Sequence, residues 1–301
     1  MQVKANGLDI EVLDSAEATQ DPAHRQRPVV LLIIGLGLQL IDWPESFVQS
    51  LLDAGYRVVR FDNRDAGLST HLAHLGKPNL IWLGLQLKLG LAAHGPYRLA
   101  EMAADTVGVL DALQIDKAHI VGMSMGGMIA QRVALSVPQR VLSLTSMMSS
   151  SGARGLPGPQ THVLKAMMTP VRGKTIEAVV EQHLALFKLL SGTTHAVPDE
   201  ELRAQIRRST TRNNDPVGVM RQMVAVASDV SRANLLNRIT TPTLVMHGKD
   251  DPLLPYACGE DTARRIPGAT LVGIDGMGHD MSPVHFNTMA HALIAHLQAA
   301  Q

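Results

Sequence analysis

Six residues constrain this chain more than any others: Gly122-Met123-Ser124-Met125-Gly126-Gly127. The apolar run Ala118-His119-Ile120-Val121 leads into them, and Met128-Ile129-Ala130-Gln131-Arg132-Val133-Ala134 leaves with helical spacing. Strand, tight turn and helix are adjacent, with a serine at the tip of the turn. The pattern is G-x-S-x-G. So sharp a turn leaves no room for a Cβ two residues before or after the serine, where Gly122 and Gly126 stand. Ser124 is expected in a strained backbone conformation that pushes its hydroxyl clear of a sheet. The following helix aims backbone N–H groups and a positive dipole end at the same point.

A Gly-Ser-Gly cluster alone is usually just a turn. It gains chemical weight if an acid and a histidine follow, in that order. Both do. Thr243-Leu244-Val245-Met246-His247-Gly248 reads as a buried parallel strand and runs into Lys249-Asp250-Asp251. Open α/β sheets keep their chemistry just past the C-terminal ends of core strands. Residues 269–274 read as a last strand, followed by Asp275-Gly276-Met277-Gly278-His279 on a loop. A serine hydroxyl needs a neutral imidazole to take its proton, and the imidazole needs an anion behind it. An ester carbonyl becoming an oxyanion needs N–H donors. Met125, the residue after the serine, offers one. The loop after the strand at 29–34 offers the other, at Leu36.

At this point the chain resembles the serine hydrolases of the α/β-hydrolase superfamily over nearly its whole length. Asp62-Asn63-Arg64-Asp65-Ala66-Gly67-Leu68-Ser69 resembles the D-x-R-x-x-G-x-S loop of the esterase-like branch. With residues 35–43 and the Met-rich turn, it is most similar to the aclacinomycin methylesterase-like bacterial esterases. The resemblance implies Ser124 as nucleophile, His279 as base, and the N–H groups of Leu36 and Met125 as oxyanion hole. The family spacing Gly-x-x-Asp, counted from Gly248, favours Asp251 over Asp250 as the acid. One departure stands out: many members carry His-Gly before the oxyanion residue, and here the pair is Ile34-Gly35.

Strands and helices alternate along most of the chain, which predicts an α/β-hydrolase fold: a mostly parallel central sheet with helices on both faces. Residues 8–12 alternate apolar and polar, as an edge strand should. The breaker-rich segment 149–159 interrupts the alternation, and helical patterns follow at 175–190, 199–208 and from Asp215-Pro216 to 227. Three segments follow: core at 1–148, an inserted helical cap at 149–234, and core again at 235–301.

Lys+Arg and Asp+Glu are equal at 27 each, which offers no field for nucleic acid or an anionic membrane. Cys258 is the single cysteine, so no internal disulfide is possible. No signal-like or membrane-spanning run is apparent, and a cytoplasmic enzyme is expected, as a monomer or homodimer. No cofactor is expected. Nor is a metal: His71 and His74, three apart on a loop, have no nearby carboxylate or cysteine that completes a tetrahedral set. Asp62 and Arg64 are read as braces of a loop, and His247 as structural. Met123, Met125, Met128, Met147 and Met148 cluster near the turn; they fill core, with those at strand ends available to line an apolar pocket. Arg154 and Arg172 are the cap's candidates for meeting an anion. The expected partner is a small uncharged ester of short to medium acyl chain. Carbon–carbon bond hydrolysis and perhydrolysis on the same residues are the alternatives.

Overall fold

The computed structural model describes the whole chain except residues 18, 20, 21, 90, 92, 172, 174, 195, 196 and 301, and the side chain of 87. Strands are β1 (Gln2–Ala5), β2 (Leu8–Asp14), β3 (Val29–Ile33), β4 (Arg57–Phe61), β5 (Ala118–Met123), β6 (Val141–Met147), β7 (Thr243–Gly248) and β8 (Thr270–Ile274). Helices are α1 (Glu45–Asp53), α2 (Leu80–Lys88), α3 (Leu99–Ala112), α4 (Met125–Ser136), α5 (Thr161–Met168), α6 (Ile176–Leu190), α7 (Asp199–Arg212), α8 (Pro216–Ser228), α9 (Ala257–Arg265) and α10 (Phe286–Ala299). No helix among the described residues is long and apolar enough to cross a membrane.

One eight-stranded sheet runs in the order β1-β2-β4-β3-β5-β6-β7-β8. All pairings from β4 to β8 are parallel, and β1 and β2 are antiparallel additions at one edge. Strand β3 shows why the sheet sits inside helices. All five of its residues are buried. Leu31 and Ile33 pack with α3 and α4 side chains such as Val109 and Ile129, while Val30 and Leu32 pack with Phe47 of α1 and Leu293 of α10. The period-2 alternation thus feeds two apolar layers at once.

The edge-strand expectation for residues 8–12 is corrected. Strand β2 lies between β1 and β4, and β1 holds the edge. The cause is a hairpin turn at Asn6-Gly7, where both residues take positive φ (48° and 78°). Asn-Gly supplies the left-handed pair that a two-residue hairpin needs.

Helices α5 to α8 all lie between β6 and β7. Thr175 caps α6 by accepting from the Ala178 N–H, and Asp215 caps α8 by accepting from Val217 and Gly218. Helix α7 extends to Arg212, one turn past the expected 208. Val180 and Leu184 of α6 meet Leu202 and Ile206 of α7 in a small apolar cluster of their own.

Candidate active site

The turn at Ser124 is as tight as its glycines imply. A Cβ on Gly122 would lie 2.1 Å from the Gly126 carbonyl oxygen, and one on Gly126 would lie 2.0 Å from that of Ile33. Ser124 takes φ 56°, ψ −120°, a region that side chains rarely adopt. The strain is held from several sides. The Ser124 N–H donates to Met147 O (2.8 Å), and its carbonyl accepts from the Ser149 hydroxyl (2.7 Å) and the Gly127 N–H (3.0 Å).

Ser124, His279 and Asp251, far apart in sequence, meet here. His279 Nε2 lies 3.0 Å from Ser124 Oγ, and His279 Nδ1 lies 2.7 Å from Asp251 Oδ2. A carboxylate only accepts, so Nδ1 carries the proton and the Nε2 lone pair faces the serine hydroxyl. Asp251 Oδ1 accepts from the N–H groups of Leu253 (2.9 Å) and Leu254 (2.8 Å). Burial works against its charge, but His279 and His247 outweigh that and hold the carboxyl well below the usual carboxylate range. Asp250 points elsewhere and accepts from the Thr193 hydroxyl.

Chain from the inserted helices holds the histidine loop. The His279 N–H donates to Leu190 O at the end of α6 (2.8 Å). Gly192 passes so close that a Cβ there would lie 2.0 Å from Gly276 O. No local signal marked Gly192, because its partner stands more than eighty residues away.

On the other flank, the loop after β3 runs beside Ser124. A Cβ on Gly35 would lie 3.3 Å from Ser124 Cβ. Among the hydrogen bonds of the described residues, neither the Leu36 nor the Met125 N–H has a partner within the chain. Asp62 braces this loop: its carboxylate accepts from the N–H groups of Leu40 (2.7 Å) and Leu68 (2.9 Å) and from Arg212 (2.7 Å). Arg64 turns away to Asp105 (2.6 Å).

His247 is fully buried beside Asp251: its Nε2 donates to Leu254 O (2.7 Å) and lies 3.4 Å from Asp251 Oδ2. His71 does meet carboxylates, Asp215 from far along the chain and Asp65 from six residues before it. Its Nδ1 lies 2.8 Å from Asp215, and Asp65 is near enough for the three to form a ligand-like cluster. Arg221 already neutralises this cluster, with Nη2 2.7 Å from Asp65 and 3.5 Å from Asp215. The five methionines are all core. Met123, Met147 and Met148 lie in one layer and Met125 and Met128 in the other, none more than 9% exposed. Arg154 is exposed, and Arg172 lies outside the described residues.

Comparison with known proteins agrees with the geometry. A family model described as alpha/beta hydrolase fold matches residues 28–286. The rhodomycin D methylesterases DnrP of Streptomyces peucetius and DauP of Streptomyces sp. are each 33% identical over 96% of this chain and 96% of their own. A 2-hydroxy-6-oxononadienedioate/2-hydroxy-6-oxononatrienedioate hydrolase from Cupriavidus pinatubonensis is 27% identical over 83% of this chain and 80% of its own. Among solved structures, the enol-lactonase from Burkholderia xenovorans has a TM-score of 0.71 at 19% identity, covering 99% of this chain and 100% of that one. At that identity the likeness is one of fold. The chain belongs to the alpha/beta hydrolase fold family, as a carboxylic ester hydrolase.

Proposed function

We propose that this enzyme hydrolyses small uncharged carboxylic esters through an acyl-enzyme on Ser124. His279 takes the hydroxyl proton as Ser124 Oγ bonds to the ester carbon, and the carbonyl electron pair moves onto oxygen. The Leu36 and Met125 N–H groups receive that oxyanion. When the carbonyl re-forms, the C–O bond to the alcohol breaks and His279 returns the proton to the leaving oxygen. Water then repeats the sequence on the acyl-enzyme, releasing the acid and Ser124. Asp251 keeps His279 in its Nδ1–H tautomer and stabilises the imidazolium. Residues 149–234 act as a cap over the core segments 1–148 and 235–301.

The observation that carries this reading is the continuous relay of Asp251 Oδ2 to His279 Nδ1 (2.7 Å) and His279 Nε2 to Ser124 Oγ (3.0 Å) beside two unspent backbone N–H groups. By their names, the 33%-identical relatives are methylesterases, so methyl esters belong in the first panel. Leu36, Leu38 and Val219 are part-exposed apolar side chains at the loop beside Ser124, which favours a neutral acyl group.

The test is a panel of p-nitrophenyl and methyl esters of rising acyl length beside a vinylogous diketone panel. Each CH₂ buried is worth about 0.8 kcal/mol, so kcat/KM should rise by up to about fourfold per methylene until the pocket is full. Faster turnover of the diketones would favour the second reading, carbon–carbon bond hydrolysis. The Cupriavidus relative supports keeping that reading, since its name places it on such substrates. A clear preference for a charged acyl group would overturn the neutral-ester reading.

A further inference from the structure

We infer that Gln222, on the inserted helix α8, is a positioning residue that sets the aim of the Leu36 N–H. The inference rests on Leu36 being an oxyanion donor, as proposed above. The peptide unit carrying that N–H joins Gly35 to Leu36, and each of its neighbours is pinned by a buried amide side chain. The unit before it is held through its carbonyl: Asn63 Nδ2 donates to Ile34 O (3.1 Å). The unit after it is held through its N–H: Gly37 N donates to Gln222 Oε1 (2.9 Å). Between them the Gly35 carbonyl closes a turn by accepting from the Leu38 N–H (3.3 Å). Within the Gly35–Leu36 peptide unit the carbonyl is thus taken, and the Leu36 N–H has no partner among the hydrogen bonds of the described residues.

Gln222 cannot serve equally well in another orientation. It is fully buried, and its Nε2 donates to the Arg64 carbonyl (2.8 Å). A carbonyl only accepts and an N–H only donates, so the two contacts together fix which end of the amide faces Gly37. Gly37 sits at φ +69°, in a turn where the middle peptide can flip. The Gln222 bond is what opposes that flip. Ile34 has no polar side chain to hold the loop locally. Asn63 and Gln222 pin it from two other elements. One consequence is that α8, which donates no group to the Ser124–His279–Asp251 relay, still belongs to the machinery.

The experiment compares the parent enzyme with Gln222→Met, which keeps length and loses both hydrogen bonds, and Gln222→Glu, which keeps shape and loses the bond to Arg64 O. Ser124→Ala is the control. Each is assayed for kcat and KM on a short ester, for its unfolding midpoint, and for affinity toward a trifluoromethyl ketone, whose adduct carries an oxyanion. Losing an oxyanion donor outright costs about 10²–10³ in kcat, so misaiming one should cost about 10- to 100-fold, with KM within about twofold. Ketone affinity should fall by the same factor as kcat/KM, a parallel that a merely structural role would not produce. If Gln222→Met does not fold, Gln222→Glu carries the same test with a smaller loss. Folded variants with parent kcat and parent ketone affinity would overturn the inference. An active Ser124→Ala would instead overturn the nucleophile assignment on which it rests.

Discussion

The sheet and the four helices inserted between β6 and β7 are held by different kinds of contact. Both faces of β3 pack into large apolar clusters. Of the inserted helices, α6 and α7 share a four-residue cluster of buried apolar side chains, and Ala225 of α8 joins one of the core's clusters. Much of their contact with the core is polar: Arg221 on Asp65, Gln222 on Gly37 and Arg64, Arg212 on Asp62, Ser209 on Asp42, and the Leu190 carbonyl on His279. Apolar burial is non-directional and fixes which elements meet. Hydrogen bonds have geometry, and they fix where a loop points. The loops carrying Leu36 and His279 are thus held from the inserted side, while the sheet carries the strained turn of Ser124.

The sharpest way to break that division is at Asp251, the proposed acid, which stands on a loop after core strand β7. Asp251→Asn should lower kcat by about 10³–10⁴, since an amide can present the wrong tautomer partner to His279. Asp250→Asn, one residue away, should stay within a few-fold of the parent. Steady-state kinetics on one ester decides it; a larger loss at Asp250 would move the acid by one residue.

The next effect is on stability. Arg221 and Asp65 are both buried, at 1% and 0% side-chain exposure. Arg221→Met should cost about 3–5 kcal/mol in urea unfolding, because it strands the Asp65 charge. Tyr97, which donates to Asp65 Oδ2 (2.8 Å), cannot neutralise it. Adding Asp65→Asn should recover much of the loss. An isolated Arg221→Met change of under about 1 kcal/mol would show that α8 is not held as described.

The smallest expected effect depends on pH. Both ring nitrogens of His71 face acceptors, Asp215 (2.8 Å) and the Gly67 carbonyl (3.0 Å), and only an imidazolium can donate to both. Burial works against that charge. The Gly67 carbonyl and the Asp215 and Asp65 carboxylates outweigh it and raise the pKa above the ordinary imidazole value. A raised folded pKa stabilises fully below the unfolded value, about 6.5, and the contribution is lost as pH rises through the folded value. The stability gap between the parent and His71→Phe should therefore be widest near about pH 5.5 and narrow by about pH 8.5. Paired denaturant melts measure it. A gap that is flat or widens with pH would contradict the charged pairing.

Legibility in the sequence follows the same division. Strands such as Val29–Ile33 and Thr243–Gly248 are continuous apolar runs because both faces are buried, and that pattern is local. Ser124 and His279 announce themselves by the glycines their turns require. The Asn6-Gly7 hairpin was equally local, yet without it β2 reads as an edge. Helix α2 was not foreseen: Leu80-Ile81-Trp82-Leu83-Gly84-Leu85 has no polar face to give a helical period, and Ile81 and Trp82 are exposed. The sequence pattern of helix α7 fades after 208, where Ser209-Thr210-Thr211 is a weak helical sequence. A hydrogen bond from Ser209 to Asp42 holds that last turn, and Arg212 reaches Asp62 from it. The polar seams at Gln222, Gly192 and Arg221 pair residues eighty to more than a hundred and eighty positions apart, and no window on the sequence contains both partners.

In the proposed mechanism Ser124 is the attacking group, activated by His279. Intact-protein and peptide mass spectrometry after a fluorophosphonate reads this out. One adduct per chain is expected, on the peptide containing Ser124, with labelling slowed by orders of magnitude in His279→Ala. Adduct on any other residue, or undiminished labelling of Ser124→Ala, would contradict it.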